Sequence, residues 1–593
     1  MVYKKPILFF VFALAISILT GCKSETATEP DITETQATTG NGSASIGSSG
    51  KTLTEVLAAN KQDHETAEDY IWNSSDIIPI VLNGATITSS GNGVSISGST
   101  VTITSGGTYS ISGTLTNGQI NVNSSDAKTV RLILNGVNVT NATSAPINVM
   151  ASEKTVIILA DNSQNFVTDA STYVFANTGD DEPNATIFSK GDLSFYGNGT
   201  LTIKANYNDA ISCKDGLIIK SGTLNVSSVD DGIRGKDYLI VKSGNITVNA
   251  KGDGLKSDND EDSTRGYIYI SNSSMNIISG GDAITAQTDV LISDGTYTIT
   301  SGGGSGFTAN ATNSSKGIKG LVYAIISGGT FTLSTADDAL HSNKNLVINA
   351  GTFAITSGDD GIHADAALVI NSGTINITKS YEGIESAALI INGGEIHIVS
   401  SDDGLNGAGG RDASSPGSFV QTGNYYLYIN GGYIFINATG DGIDINGSIV
   451  MTDGVVVVNG PTANMNGAID YDASFKISGG FIVASGSSGM AQAPGTTSTQ
   501  YSVLVTFKTT LSANTLFHIQ NSSGSDILSF VPKKNYQSVA ISSPKLAKGT
   551  YDIYYGGTST GMLKDGLYQD GIYSAGTKAT SFTISSIVTK VSF

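Results

Sequence analysis

The chain has few of the side chains on which disulfide frameworks, transition-metal centres and nucleic-acid surfaces depend. Its 593 residues include two cysteines, five histidines and one tryptophan, and 32 basic side chains stand against 51 acidic ones. Because a phosphate backbone requires a basic surface, the net charge of −19 argues against nucleic acid as a partner. The shortage of cysteine and histidine argues against a zinc or copper site. A single tryptophan, Trp72, counts modestly against a flat aromatic platform.

The sequence also has no apolar run of the length that a membrane span requires. The run 7–19 follows a basic start, and its length predicts a secretory signal peptide over residues 1–21. It ends in Leu19-Thr20-Gly21-Cys22, which resembles the signal box of bacterial lipoproteins, whose cysteine carries the lipid. We therefore expect a secreted protein that is anchored through Cys22 to a bacterial membrane and exposed at the cell surface or in the periplasm. Acylation of Cys22 would leave Cys213 without a disulfide partner.

Two segments separate the signal peptide from the first predicted strand. Residues 22–50 are rich in Ser, Thr, Gly and Glu, which predicts a flexible tether. Thr52 and Glu55 have the spacing of a capping box, which predicts a helix that continues towards Trp72. Since an open sheet end invites edge pairing, we expect residues 51–76 to cap the first repeat.

A short acidic motif recurs through the middle of the chain. In Asp230-Asp231-Gly232-Ile233, acids precede a glycine and a branched apolar residue. The step from Asp209 to Asp231 is 22 residues, and the step from Asp231 to Asp253 is also 22. Later copies of the motif contain Asp282, Asp338, Asp360, Glu382, Asp403 and Asp441.

The segments between the motifs are β-branched runs with period-two alternation, broken by Ser-Gly, Asn-Gly and Gly-Gly turns. This pattern predicts an all-β parallel solenoid with coils of about 22 residues over 77–499. The motif is absent from 77–204, and two intervals are lengthened by insertions, at 258–262 and 411–423. Beyond residue 500 the periodic turns stop, so we expect a β-rich C-terminal cap over 500–593.

The repeated acids predict a column of like charges. The isoleucine or leucine of each motif must point into the core, so the acid lies at an outer bend, stacked on its equivalents in neighbouring coils. Carboxylates at that spacing repel by about 1 kcal/mol per pair even in water. Calcium binds six to eight oxygens and would neutralise them. The alternative is that Asp-Gly simply favours a turn. The candidate calcium ligands are Asp209, Asp230, Asp231, Asp253, Asp282, Asp337, Asp338, Asp359, Asp360, Glu382, Asp402, Asp403 and Asp441.

Basic and aromatic side chains accompany the acids. Arg234, Lys256, His341 and His363 each lie three residues after an acid and are candidate contacts for an acidic polysaccharide. A neutral lysine there would also abstract a proton α to a uronate carboxylate, and the candidate bases are Lys214, Lys236 and Lys256. The alternative is ordinary surface charge paired with the neighbouring aspartates. Further candidate sugar contacts are Tyr425 and Tyr426.

Together these motifs resemble a known group of proteins. The lipoprotein box, the repeated Asp-Asp-Gly-Ile and the closing Gly479-Gly480-Phe481, Ser529-Phe530 and Ser542-Ser543-Pro544 are similar to those of bacterial carbohydrate-binding β-helix proteins related to family-nine polysaccharide lyases. The resemblance implies a right-handed parallel β-helix, bound calcium and affinity for cellulose and acidic pectin. In the lyase relatives an Asp-lined calcium site stands beside a lysine base. Asp209, Asp230, Asp231 and Asp253 correspond to that calcium site, whereas the lysine stays open among the three candidates.

The sequence therefore predicts a monomeric, lipid-anchored surface protein that binds cellulose or polygalacturonate-type polysaccharide with the help of calcium and without catalysis. Two alternatives stay open: a calcium-dependent lyase with a lysine base, and a structural adhesin without a sugar ligand.

Overall fold

The computed structural model describes residues 50–308, 313–408, 425–574 and 576–593. The predicted signal peptide, Cys22, the tether up to residue 49 and the insertion at 411–423 lie outside these ranges. Within them, no helix has the length and apolar character needed to cross a bilayer.

Strands dominate the structure, as the alternation predicts. One α-helix, α1 at Leu53–Ala59, and two single-turn 3₁₀ helices at Ala67–Tyr70 and Ser74–Asp76 precede the first strand. Most strands belong to one 47-stranded sheet, and its pairings are predominantly parallel.

The first part of this sheet lacks the acidic motif. It opens with two antiparallel hairpins, formed by the first and second strands and by the third and fourth, after which parallel pairing takes over. These strands are β1 Ile77–Gly84, β2 Thr86–Ser89, β3 Val94–Ser97, β4 Thr100–Ile103, β5 Gly107–Leu115, β6 Gln119–Asn123, β7 Val130–Thr140, β8 Ile147–Ala151, β9 Lys154–Leu159, β10 Gln164–Thr168, β11 Ala185–Ser189, β12 Asp192–Gly197 and β13 Thr200–Lys204.

The part that carries the motif repeats a set of three short strands. They are β14 Asp209–Cys213, β15 Gly216–Ile219, β16 Thr223–Ser228, β17 Ile233–Gly235, β18 Tyr238–Val241, β19 Asn245–Ala250, β20 Leu255–Ser257, β21 Tyr267–Ile270, β22 Ser273–Ser279, β23 Ile284–Ala286, β24 Asp289–Ile292, β25 Gly295–Ser301, β26 Ile318–Gly320, β27 Tyr323–Ile326, β28 Thr330–Thr335, β29 Leu340–Ser342, β30 Asn345–Ile348, β31 Thr352–Ser357, β32 Ile362–Ile370, β33 Thr374–Lys379, β34 Ile384–Ile391, β35 Glu395–Ser400, β36 Leu405–Gly407, β37 Tyr426–Ile429, β38 Tyr433–Ala438, β39 Ile443–Ile445, β40 Ser448–Met451, β41 Val455–Asn459, β42 Asp470–Tyr471, β43 Ser474–Ile477 and β44 Phe481–Gly486.

Equivalent strands of successive repeats pair in parallel and form three ladders. The first ladder runs through β14, β17, β20, β23 and their equivalents, the second through β15, β18 and β21, and the third through β16, β19 and β22. Ile211 pairs with Ile233, which pairs with Leu255, so the apolar residue of each motif stacks on the next. All three side chains are fully buried in the main core. Each contributes on the order of 2–3 kcal/mol through burial.

Aromatic rings stack in register inside the third ladder. The ring of Phe331 lies between those of Tyr297 and Phe353, with centroid separations of 4.6 and 4.7 Å and nearly parallel planes. The strand pairing aligns the three residues directly. The 22-residue spacing of Phe331 and Phe353 in the sequence therefore becomes a direct ring contact.

The N-terminal segment differs from its prediction. The capping box of Thr52 and Glu55 is confirmed, but the helix ends at Ala59. Beyond it the side chain of Asn60 donates to Asp289 and the ring of His64 bonds to Tyr238, so contacts with the sheet replace helical ones. Val56 of α1 packs in one buried cluster with Leu291, Ile325 and Val347 of the second ladder. The role of residues 51–76 as a cap of the first repeat stays a prediction.

The strand pairings of the C-terminal region are mostly antiparallel, with one parallel pair between Ser502–Leu511 and Val588–Ser592. Its strand β48, Tyr536–Ser542, pairs antiparallel with β44, the last strand of the third ladder, and covers that edge. Other strands form a six-stranded sheet whose core contacts Phe435 and Val457 on the third ladder. The strands are β45 Ser502–Leu511, β46 Phe517–Asn521, β47 Asp526–Phe530, β48 Tyr536–Ser542, β49 Gly549–Tyr555, β50 Thr558–Ser559, β51 Met562–Lys564, β52 Leu567–Gln569, β53 Tyr573–Ser574, β54 Thr577–Ile584 and β55 Val588–Ser592.

Candidate functional site

The acidic motif forms the entry to each strand of the first ladder. In the repeat of Asp231, Ile233 is buried in the core, and a Cβ atom on Gly232 would lie 2.5 Å from the carbonyl oxygen of Gly254. Glycine avoids this close contact at position 232, whereas Ala210, Ala283 and Ala339 occupy the equivalent position in other repeats. The acid just before this position faces its equivalents in the neighbouring repeats. We call this series the acid ladder: Asp209, Asp231, Asp253, Asp282, Lys316, Asp338, Asp360, Glu382, Asp403 and Asp441.

The carboxylates of the acid ladder bond to the backbone of the next repeat. The N–H of Asp231 donates to Oδ1 of Asp209 at 3.2 Å, and the N–H of Asp253 donates to Oδ1 of Asp231 at 2.8 Å. The same bond recurs along the series, the last one from the N–H of Gly467 to Asp441. Each such acid thus satisfies a backbone donor with one oxygen, and its second oxygen stays available for a cation.

The acids are also less exposed than their predicted place at an outer bend implies. Asp338 is completely buried, and Asp209, Asp231, Asp282 and Asp360 are each less than a tenth exposed. Stacking of short turns on both sides excludes solvent from the ladder. Buried carboxylates require charge partners or protons, so the cations around them decide what the site can bind.

Lys316 occupies an acid position and supplies one such cation. It precedes Gly317 and Ile318, just as an aspartate precedes Gly-Ile in other repeats. Its ammonium lies 2.7 Å from Oδ1 of Asp337 and 2.8 Å from Oδ2 of Asp338. The predicted calcium ligands do not include Lys316, because all of them are acids. The Gly-Ile pair that follows Lys316 shows that it occupies the equivalent position of its repeat.

A second series stands three residues after the acids, and the strand pairing places its members side by side. We call it the flanking column: Arg234, Lys256, Thr285, Lys319, His341, His363, Glu385, Asn406, Asp444 and Asp470. Its charge changes along the molecule, from basic at its N-terminal end to acidic at its C-terminal end.

The basic members of the flanking column are paired with carboxylates. Arg234 lies 2.8 Å from Asp258, and Lys256 contacts Asp231 at 3.0 Å and Asp253 at 2.8 Å. Lys319 approaches Asp282 at 3.4 Å. These basic side chains therefore form the ion pairs with neighbouring aspartates that were the alternative to contacts with an acidic polysaccharide. At these positions and at Asp337 and Asp338, the chain's own cations supply charge that the prediction assigned to calcium.

The three candidate lysine bases do not meet around one reaction centre. Lys214 lies 2.8 Å from Glu182, and Lys236 lies 3.6 Å from Glu261. For Lys256, burial opposes the charged ammonium, but the carboxylates of Asp253 and Asp231 outweigh it and raise the pKa. A lysine that abstracts a proton needs the opposite shift.

At the C-terminal end of the acid ladder, no basic side chain of the described residues neutralises the carboxylates. Burial, together with neighbouring acids, raises the pKa of Asp403 and of Asp444 to about 7 and that of Asp441 to about 6. Across the described ranges, no lysine, arginine or histidine comes within ion-pair distance of these carboxylates. Oxygens of Asp441, Asp444 and Asp470 lie within 4.8 Å of one another. The candidate ligands omit Asp444, which lies three residues after Asp441, and Asp470, which follows Ala468 and Ile469 in a repeat whose acid position holds Gly467.

Asn406 adds a neutral oxygen to this end. It pairs with Glu385 on one side and Asp444 on the other, and its amide donates to Glu382 at 2.5 Å. Among the residues that the structure describes, none donates a hydrogen bond to its buried Oδ1. A buried amide oxygen without a donor is a suitable ligand for a hard cation.

The remaining candidates fall in different places. Asp230 is exposed, whereas Asp359 and Asp402 are partly buried just before the acid ladder. Tyr426 stacks on Tyr428 with centroids 5.6 Å apart in the second ladder, and Tyr425 precedes it, so neither candidate tyrosine belongs to the first-ladder site. Cys22 lies outside the described residues.

Comparisons with known proteins point to carbohydrate. The model of a family described as carbohydrate-binding domain-containing proteins matches residues 97–361 and 361–529. A carbohydrate-binding domain-containing protein of Acetivibrio thermocellus is 42% identical over 137 residues, which are 23% of this chain and 48% of that protein. The chain thus spans about half the length of this relative.

A solved structure, titled as the gadolinium derivative of a polysaccharide lyase-like protein from C. thermocellum, is 28% identical with a TM-score of 0.37. That similarity covers 49% of this chain and 96% of the other. Since the family model matches most of the sequence, this chain belongs to the family of carbohydrate-binding domain-containing proteins.

Proposed function

We propose that this protein is a lipid-anchored surface protein that binds plant-type polysaccharide, either cellulose or an acidic pectin, in a calcium-dependent way and without cleaving it. The family supports carbohydrate as the ligand. Calcium, the polysaccharide type, the anchor and the monomeric state are parts of the proposal.

The proposed scaffold is a right-handed parallel β-helix over 77–499, followed by a C-terminal cap over 500–593. The three parallel ladders, with registers offset by about one 22-residue repeat, support this architecture. Residues 22–50 would hold the helix away from the membrane, where the lipoprotein box supports a lipid on Cys22.

The observation that carries the calcium proposal is the group Asp441, Asp444 and Asp470. Three carboxylates so close together repel by several kcal/mol in the effective dielectric of a protein surface, and no basic side chain of the described residues offsets them. Carboxylate and amide oxygens in flexible geometry are the ligands that calcium prefers. Asp403 and Asn406 stand beside the group, so the C-terminal end of the acid ladder is the proposed calcium site.

The paired state of the basic residues explains why a cation is needed. A uronate carboxylate requires a positive partner, but Arg234, Lys256 and Lys319 already bond to aspartates. Calcium held by protein carboxylates would bridge to the carboxylates and hydroxyls of the polysaccharide. Tyr425 and Tyr426 would add sugar contacts on the second ladder.

The test is binding of the mature protein to insoluble cellulose and to immobilised polygalacturonate, with calcium and with a chelator. We expect calcium-dependent binding that Asp444→Asn weakens at least tenfold. Asp453→Asn is the matched control, because Asp453 is an exposed turn residue that bonds to Gly454. Calcium-independent binding, or equal loss in both variants, would disprove the calcium site.

The same preparation distinguishes the two alternatives. Ultraviolet absorbance of an unsaturated product, rising with polygalacturonate and calcium and stopped by a chelator, would identify a lyase. Failure to bind either glycan in calcium would favour the structural adhesin.

A further inference from the structure

Two of the chain's five histidines are neighbours in the flanking column. His341 pairs with His363 across strands, and their ring centroids are 5.0 Å apart. Both side chains are buried, at 2% and 1% exposure. The count of histidines in the sequence argues against a transition-metal site, but the fold places two of the five beside the acid ladder.

More carboxylates surround the ring of His363 than its nitrogens can hydrogen-bond. Its Nδ1 lies 3.2 Å from Oδ2 of Asp360, 3.6 Å from Oε2 of Glu385 and 3.8 Å from Oδ2 of Asp338. A single ring nitrogen donates at most one hydrogen bond. Its Nε2 is buried 3.3 Å from Asp365 but without hydrogen-bond geometry. Nδ1 is hydrogen-bonded to Asp360, so it does not also serve as a donor to Glu385 or Asp338.

Lys316 indicates which of these acids still need a cation. Its ammonium contacts Asp337 and Asp338, so the group of Asp338, His341 and His363 already has a positive charge. Asp360 and Glu385 have no lysine or arginine within ion-pair distance in the described structure. Their available oxygens and Nδ1 of His363 lie within 4.8 Å of one another.

A backbone hydrogen bond orients the carboxylate of Asp360 towards His363. Oδ1 of Asp360 accepts the N–H of Glu382 at 3.1 Å, which leaves Oδ2 directed at His363. Zinc bonds of about 2.1 Å in tetrahedral geometry place adjacent ligand atoms about 3.4 Å apart. The 3.2 and 3.6 Å separations around Nδ1 of His363 bracket that value.

We propose that Asp360, His363 and Glu385 bind a transition-metal dication of the zinc class, at a site separate from the calcium proposed near Asp441. Imidazole nitrogen is a favoured ligand of zinc and related metals, whereas calcium takes oxygen. Two carboxylates and one imidazole leave a neutral centre around the dication and an open coordination position. The site does not depend on the proposed polysaccharide function.

Calorimetric titration of the chelator-stripped mature protein with zinc, in excess calcium, tests the proposal. We expect about one bound equivalent, with affinity at least tenfold lower in His363→Gln and in Glu385→Gln. His397→Gln is the control, because His397 lies on β35 of the third ladder and bonds to Asp565 of the C-terminal region. Absence of zinc binding in the wild type, or equal affinity in His363→Gln, would overturn the proposal.

Cobalt substitution gives a readout that does not depend on the variants folding. Cobalt bound to the wild type should show the visible absorption of a four-coordinate nitrogen–oxygen site, and zinc should displace it. A spectrum typical of hydrated cobalt would refute the site. Zinc affinity, measured on the same samples, should be unchanged in Asp444→Asn, whose polysaccharide binding should fall at least tenfold, so failure of one proposal is distinguishable from failure of the other.

Discussion

Replacement of Lys316 by methionine tests the charge balance of the acid ladder. The side chain is 3% exposed, and its ammonium contacts Asp337 and Asp338 at 2.7 and 2.8 Å. Each attraction is on the order of 6 kcal/mol at an effective dielectric of about 20, largely offset by the desolvation of both charges. Removal of one partner of a buried pair leaves the other uncompensated and typically costs about 3–5 kcal/mol.

The appropriate assay is amide hydrogen exchange, because a long repeat array opens locally. We expect the protection of residues 316–318 and 338–340 to fall a hundredfold or more in Lys316→Met in the presence of a chelator. Calcium should restore part of it, since the mutation creates another uncompensated acid pair. Lys319→Met is the control: this lysine is partly buried, pairs at 3.4 Å and should cost about 1 kcal/mol or less. Equal exchange in the two variants would refute the assigned role of Lys316.

Two further predictions concern stability. Burial raises the pKa of Asp289 to about 6, above its unfolded value, so ionisation opposes folding and stability should decrease by about 2 kcal/mol from pH 4 to pH 6. Chemical unfolding should show a weaker decrease over this range in Asp289→Asn, and an unchanged pH profile would contradict the reasoning. Phe331→Ala should cost about 3–5 kcal/mol because it empties the centre of the ring stack, whereas exposed Phe166→Ala should cost little. Similar unfolding midpoints for the two would exclude the stack as a source of stability.

The N-terminal segment shows why a local sequence motif predicts the start of a helix better than it predicts where the segment packs. The capping box of Thr52 and Glu55 depends on four consecutive residues and is confirmed. The continuation of the helix fails because Asn60 and His64 find partners 229 and 174 residues away. Those partners lie in repeats that no local pattern connects to this segment.

The acid ladder shows the same division within the site. Its repeat could be recognised from the sequence because Gly-Ile recurs wherever a tight bend turns an apolar side chain inwards. A pattern of acidic residues does not include Lys316, because the structural constraint lies in Gly317 and Ile318 after it and not in the charge. The bonds from each carboxylate to the next backbone N–H were not predicted either, since they join residues in different repeats.

The sequence alone determined the all-β class, the repeat of about 22 residues, the inward-facing apolar residues and the presence of a column of acids. These follow from local rules of turn chemistry, alternation and spacing. Only the tertiary structure decided which acids meet a lysine, which meet a histidine and which meet only other acids. Strand register and side-chain reach set those contacts across repeats, so local sequence patterns do not predict which buried carboxylates are paired with the chain's own cations.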